Sequence, residues 1–240
     1  MPDWEAERGA LVDRLARREE LGPETEAAMR AVDRHRFVPE DRRESAYDDT
    51  PLPIGEGQTI SAPHMVAIMT DLLNLREVDR VLEVGTGCGY HAAVTAEAAE
   101  AETVYSVEYY DPLAHRARET LAEAGYGEVS VRVGDGKQGW PEHAPYDRAY
   151  LTCAAEDFPA AVVEQVRYAR SYGACSLRSA PAGRYSSGRA SAPTGRWIGN
   201  ATATSGSCRC SDRGVPVEAS HRVGCRPFPD RPHAVVRSDR

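Results

Sequence analysis

Apolar positions near the start of the chain recur at helical spacing. Leu11, Leu15, Met29 and Val32 lie three or four apart within their runs, and Gly22-Pro23 interrupts the pattern between Trp4 and Val32. This predicts two short amphipathic helices that pack over a main domain. Phe37-Val38-Pro39 follows, and then a stretch rich in Pro and Gly from Pro51 to Gly57, read as a surface loop of the kind that often carries function. Met65, Val66, Ile68, Met69, Leu72 and Leu73 predict a helix over Pro63 to Leu75. The period then shortens. Val81-Leu82-Glu83-Val84 is an apolar run that ends in a glycine cluster, and a small-residue helix follows from Tyr90 to Ala99. Thr103 to Val107, Val129 to Val133 and Tyr146 to Leu151 read as further strands, and Pro112 to Ala124 and Phe158 to Val166 as further helices. Strands alternating with helices at this spacing imply βαβ units. The expected fold is therefore α/β, a Rossmann-like, mostly parallel sheet with helices on both faces.

Composition changes the picture beyond residue 169. From Ser171 onward the chain carries 11 Arg against 4 acidic residues, a balance of +7 that leaves the first 170 residues at −15. In that same tail Arg, Ser, Gly and Pro number 36, and Leu, Ile, Val and Phe only 8. So little apolar matter cannot offset the entropy of ordering the segment, and poor order is expected there. The reading divides the chain into an N-terminal helical segment (1–50), a cofactor-binding domain (51–169) and an atypical tail (170–240). The acidic body repels phosphates, which argues against nucleic acid as a partner. No apolar run approaches the length of a membrane span and the N-terminus lacks the character of a signal peptide, so a cytoplasmic monomer is expected. The six cysteines are scattered and read as free thiols. Cys208-Arg-Cys210, with His221 and Cys225 as loose companions, is the nearest approach to a metal set, and no metal is expected.

The chemistry concentrates at Gly85-Thr86-Gly87-Cys88-Gly89, which follows a strand and opens a helix, where open α/β sheets accept ligands. A glycine-rich loop alone is weak evidence, so the surrounding residues decide. Glu83 stands just before the loop, where a carboxylate is unfavourable to a pyrophosphate and favourable to an ammonium or a sulfonium. Glu108 ends the second strand, where it can accept from both ribose hydroxyls of NAD or S-adenosylmethionine alike. Asp135, in Val133-Gly134-Asp135-Gly136, is placed to meet an adenine amino group. Three acidic strand ends around one loop favour the cationic cofactor, S-adenosylmethionine, over a nicotinamide dinucleotide. Each taken singly reads equally as a solvated loop carboxylate.

Pro51-Leu-Pro-Ile-Gly-Glu-Gly-Gln-Thr-Ile-Ser-Ala-Pro-His-Met65 closely resembles the protein-L-isoaspartate (D-aspartate) O-methyltransferases. The same pattern is visible in Arg34-His35-Arg36-Phe37-Val38-Pro39, in Val81 to Tyr90, in Val133 to Gly136 and in Ala144-Pro145-Tyr146-Asp147. The resemblance runs from about residue 5 to about residue 167 and implies a class I S-adenosylmethionine-dependent methyltransferase. Its substrates would be damaged proteins, methylated on the α-carboxyl of isoaspartyl residues. Ser61 matches the family's active-site serine, and from the residues alone it reads as the N-cap of the helix that follows. Gln58, Thr59 and His64 match positions lining the cofactor and substrate cleft; His64 alone reads as a buried, satisfied histidine. Gly85, Gly87 and Gly136 match the cofactor-binding glycines. The resemblance stops where the family continues with a Gly-Gly-Arg strand and a C-terminal antiparallel pair. Here the chain reads Arg167-Tyr-Ala-Arg-Ser-Tyr-Gly, so those C-terminal strands are expected to be missing, with a frameshift near residue 167 and an unstable or weakly active product.

Overall fold

The computed structural model describes residues 2–99, 104–155 and 158–167, together with the backbone of Trp197–Gly199. Trp4–Glu19 forms α1, and its N-cap Asp3 accepts from the Ala6 amide at 3.1 Å. Leu11, Val12 and Leu15 on α1 are buried. Burial of such side chains contributes about 1.5–3 kcal/mol each, against about 1 kcal/mol for a cap. Packing therefore docks α1. Pro23–Ala31 forms α2 with Pro23 in its first turn, where a missing N–H costs nothing.

Where a loop was expected, the chain makes a hairpin of β1 (Leu52–Gly55) and β2 (Gln58–Ile60). Glu56 and Gly57 both take positive φ at its tip, and Leu52, Ile54 and Ile60 face the core. The period-2 signal was present in Leu52 and Ile54 and was masked by the Pro and Gly between and around them. Pro63–Leu73 forms α3, ended by Asn74 in the left-handed region. Its N-cap is Ala62, whose side chain makes no capping bond, so the N-cap reading of Ser61 is corrected.

Val81–Val84 (β3), Val104–Glu108 (β4), Ser130–Val133 (β5), Arg148–Leu151 (β6) and Trp197–Gly199 (β7) build the main sheet in the order β5-β4-β3-β6-β7, every pair parallel. Tyr90–Ala99 (α4), Asp111–Glu123 (α5) and Ala160–Glu164 (α6) are its later helices. Apolar on nearly every side, α4 is buried almost throughout, as such a helix must be. The β6 strand is shorter than expected because Tyr146 forms only an isolated bridge to Val166, which also curtails α6. Most of the tail lies outside the described residues. Among them, one three-residue strand, β7, stands beyond β6. The chain runs outward from β3 through β4 to β5, then crosses back to place β6 on the opposite side of β3. Connections leaving β3 and β6 thus diverge, and a crevice opens at the carboxyl ends of the strands.

Candidate functional site

The glycine loop is held by the strand beside it. Gly85 donates its amide to the Val107 carbonyl at 2.8 Å, and Gly87 donates to Glu108 Oε2 at 2.8 Å. Glu108 Oε1 accepts from the Tyr110 amide at 2.9 Å. Each carboxylate oxygen keeps a second lone pair. Gly85 has φ +101°, and a Cβ there would run into the Thr152 hydroxyl and the Cys153 backbone. Gly136 likewise has no room for a Cβ, which would meet the Val84 side chain. Glycine is required at both by what surrounds it. The loop therefore offers a backbone cradle that an adenosyl group can approach closely.

One cleft unites two stretches far apart in sequence. Ile54, Thr59 and Ser61 from the hairpin and its exit face Gly85, Thr86 and Gly87 of the loop, with Thr152 from the end of β6 beside them. Thr59, Ser61, Gly85 and Gly87 are thus brought together. Gln58 is exposed and donates its side-chain amide to the Glu56 carbonyl at 3.2 Å, at the edge of the hairpin rather than in the cleft. His64 sits in the first turn of α3, where its ring Nδ1 bonds Asp49 Oδ1 at 2.8 Å and its own amide donates to the same oxygen at 2.9 Å. Arg18 of α1 donates to Asp49 Oδ2 at 2.8 Å. Burial works against the Asp49 carboxylate, yet the His64 amide, Arg18 and the His64 ring together hold it below its ordinary range.

The three acidic positions separate. Glu108 and Asp135 stand at the ends of β4 and β5, where ribose and adenine were expected. Asp135 is exposed and caps a 3-10 turn by accepting from the Lys137 amide at 2.9 Å. Glu83 is different: it is fully buried inside the sheet, with Tyr150 donating to Oε1 at 3.0 Å and Ser106 to Oε2 at 2.5 Å. Burial, with the nearby Glu108 charge adding to it against those two bonds, pushes its carboxyl up to about 8. A strand residue before the loop points into the layer, so this carboxylate does not line the cleft as the sequence reading supposed.

Sequence reasoning missed several groups. Thr152 donates to the Val84 carbonyl at 3.2 Å and to the Gly85 carbonyl, locking the loop to β6; a hydroxyl directly after the run Ala149-Tyr150-Leu151 was the available signal. His91 opens α4 beside the cleft, buried, with Nε2 on the Thr70 hydroxyl at 3.2 Å. Burial lowers its pKa to about 3, so it is neutral at physiological pH. Tyr109 and Val133 follow or end the strands that carry Glu108 and precede Asp135, and are 70% and 41% exposed. Nothing marked them in advance, because exposure of an apolar side chain is a tertiary fact.

A model of the protein-L-isoaspartate(D-aspartate) O-methyltransferase family (PCMT) matches residues 6–169. Protein-L-isoaspartate O-methyltransferase 2 of Archaeoglobus fulgidus is 55% identical over 166 residues, which cover 69% of this chain and 76% of that protein. A solved protein-L-isoaspartate O-methyltransferase matches with a TM-score of 0.62 at 28% identity over 68% of this chain; the match spans about half of that longer chain, 53%. The Plasmodium falciparum beta-aspartate methyltransferase (PCMT) chain, solved with S-adenosyl-L-homocysteine, matches with a TM-score of 0.59 over 68% of this chain and 80% of its own; at 22% identity that likeness speaks to the fold alone. With most of its described length matched by a single family model, and a relative sharing more than half its residues over a comparable stretch, the chain belongs to the protein-L-isoaspartate(D-aspartate) O-methyltransferase family.

Proposed function

We propose that this chain transfers a methyl group from S-adenosylmethionine to the α-carboxyl of L-isoaspartyl (D-aspartyl) residues in damaged proteins. The observation that carries the reading is the single cleft in which Ser61 and Thr59 face the glycine loop at Gly85 and Gly87. When bound, the cofactor supplies an electrophilic methyl group on a sulfonium. The protein's own residues have a modest task, because a carboxylate with an ordinary pKa near 3.5 is already ionised at neutral pH and needs no base. Alignment is the main requirement. The Ser61 hydroxyl donates to the substrate carboxylate and orients it, and is the catalytic residue of this reading. Glu108 has lone pairs left for ribose hydroxyls, and Asp135 lies within reach of an adenine amino group. Tyr109 and Val133 flank that face with exposed apolar surface, and His64, held by Asp49, stands three residues beyond Ser61.

Within the same reading the enzyme works as a monomer in the cytoplasm and its partners are isoaspartyl-bearing proteins. Among the described residues no helix is long and apolar enough to cross a membrane. A labelled-methyl assay tests the reaction: an isoaspartyl peptide is methylated and its aspartyl counterpart is not. Ser61→Ala is expected to lower kcat by about 10- to 100-fold, the range for losing one hydrogen bond to a charged group, while S-adenosylhomocysteine affinity stays within about twofold. Methylation of both peptides alike, or an unchanged kcat, would sink the proposal.

A second reading concerns residues 170–240. The family match ends at residue 169, and the tail's composition departs from what precedes it. On this reading the chain binds cofactor normally and turns peptide over weakly. Full turnover by the chain as written counts against it.

A further inference from the structure

Glu83 has no place in the cleft, yet it stands at the centre of a continuous chain of buried hydroxyls. Thr86 Oγ1 and Ser106 Oγ lie 2.5 Å apart, Ser106 donates to Glu83, Tyr150 donates to Glu83, and the Tyr150 hydroxyl lies 2.9 Å from Thr95 Oγ1. All five side chains are buried, with no solvent to satisfy or reverse any bond. One end of the chain, Thr86, is in the glycine loop and lines the cleft. The other end is in α4.

We infer that Glu83 is a positioning residue for the cofactor loop, setting the direction of a hydroxyl relay that runs through Ser106 to Thr86. The logic is that of donor and acceptor count. An ionised carboxylate can only accept, so Ser106 spends its single proton on Glu83 and must accept from Thr86; on the other arm Tyr150 does the same and accepts from Thr95. The Thr86 proton is thereby turned inward, and the Thr86 side chain is pinned to β4 next to the point where Gly87 donates to Glu108. Two successive loop residues are thus tied to one strand. With the carboxyl protonated one arm reverses, and where that arm is Ser106, Thr86 has to accept from Ser106 and find a new acceptor for its own proton. Pushed up to about 8, Glu83 keeps its proton at neutral pH and releases it above that value, so the sense with Thr86 turned inward belongs to the alkaline side. Networks of this kind transmit a change at one member to the rest because no member has a spare partner.

The inference rests on the reading that an adenosyl cofactor occupies this loop, and it predicts coupling rather than mere sensitivity. Calorimetric titration of S-adenosylhomocysteine into the full chain at pH 9, where Glu83 is ionised, measures it without turnover. Glu83→Gln keeps the shape but presents one donor and one acceptor, so one arm must reverse; Thr86→Val keeps the shape and removes the terminal hydroxyl. Each is expected to weaken binding by about three- to tenfold, the range for one misdirected buried hydrogen bond. The double variant is expected to be no weaker than Thr86→Val alone, and Thr86→Ser to restore wild-type affinity within about twofold. Ser106→Ala gives the same non-additive result where Glu83→Gln does not fold. Multiplying effects, or a Glu83→Gln protein with lowered thermal midpoint and unchanged affinity, would overturn the relay alone. A wild-type chain that binds no S-adenosylhomocysteine overturns the relay and the functional reading together.

Discussion

The glycine loop and the Thr59–Ser61 stretch meet across one cleft, but the loop and the segment that continues to His64 are fastened by different physics. The loop is set by backbone geometry and close packing: two amides bonded to β4, a threonine hydroxyl locking it to β6, and glycines where no Cβ fits. The opposite stretch is fastened at its His64 end by one side chain. Asp49 receives the amide and ring of His64 and the guanidinium of Arg18, from segments that are otherwise separate. The first region is steric and intolerant; the second is electrostatic and adjustable.

Gly85→Ala tests that contrast most severely. It asks for a Cβ at φ +101° against Thr152 and Cys153, strain of about 3 kcal/mol, equivalent to a loss of S-adenosylhomocysteine affinity on the order of a hundredfold. Near-normal affinity in a titration would mean that the loop yields, and the contrast would collapse. Asp49→Asn keeps the shape and removes the charge that gathers His64 and Arg18, and is expected to cost about tenfold in the same measurement, as for a charge-assisted bond.

A pH scan of stability separates the two buried groups beneath the loop. Glu83 titrates at about 8 in the fold against an ordinary 4.5, so between those values the folded chain holds a proton that the unfolded chain has released. Stability falls as pH rises through that window. His91, lowered by burial to about 3 from 6.5, holds no proton in the fold where the unfolded chain does, so its contribution is complete above 6.5 and is lost as pH falls toward 3. Glu108 is the charge facing Glu83, and the Tyr150 ring lies between Glu83 and His91, 4.6 Å from the imidazole. Thermal midpoints of Glu83→Gln are expected to lose the decline between pH 6 and 8 and to keep the acid limb. A decline that persists in the variant would assign it elsewhere. Smallest is Arg18→Gln, at the penultimate residue of α1. Arg18 is about half exposed, so its loss is expected to weaken cofactor binding by only about two- to threefold, with the difference shrinking in added salt. A large, salt-independent loss would show the wall to be as rigid as the floor.

What could be read from the sequence follows the same division. Strands β3 to β6 and the glycine loop were legible because their signals are local: an apolar run, then glycine, then small residues at helical spacing. The hairpin was read as a loop because Pro53, Gly55 and Gly57 mask the alternation of Leu52, Ile54 and Ile60. Ser61 lines the cleft with the glycine loop and is not the helix cap, since Ala62 and Pro63 begin the helix without it. Glu83 was taken for a cleft carboxylate because linear position cannot tell which face of a fully buried strand a side chain enters. Asp49 and Arg18 carried no signal at all: their partners are 15 and 31 residues away along the chain.

The Arg18 link has a consequence in terms of proteolysis. The connection between α1 and α2 spans Glu20–Gly22, and a cut there would leave every strand and the whole glycine loop intact while the helix that supports Asp49 is held by packing and side-chain bonds alone. A ligand that engages His64 stabilises the docked arrangement by mass action and so shields that distant connection. The rate at which a protease opens the amino-terminal joint then becomes a gauge of whether the cleft is full.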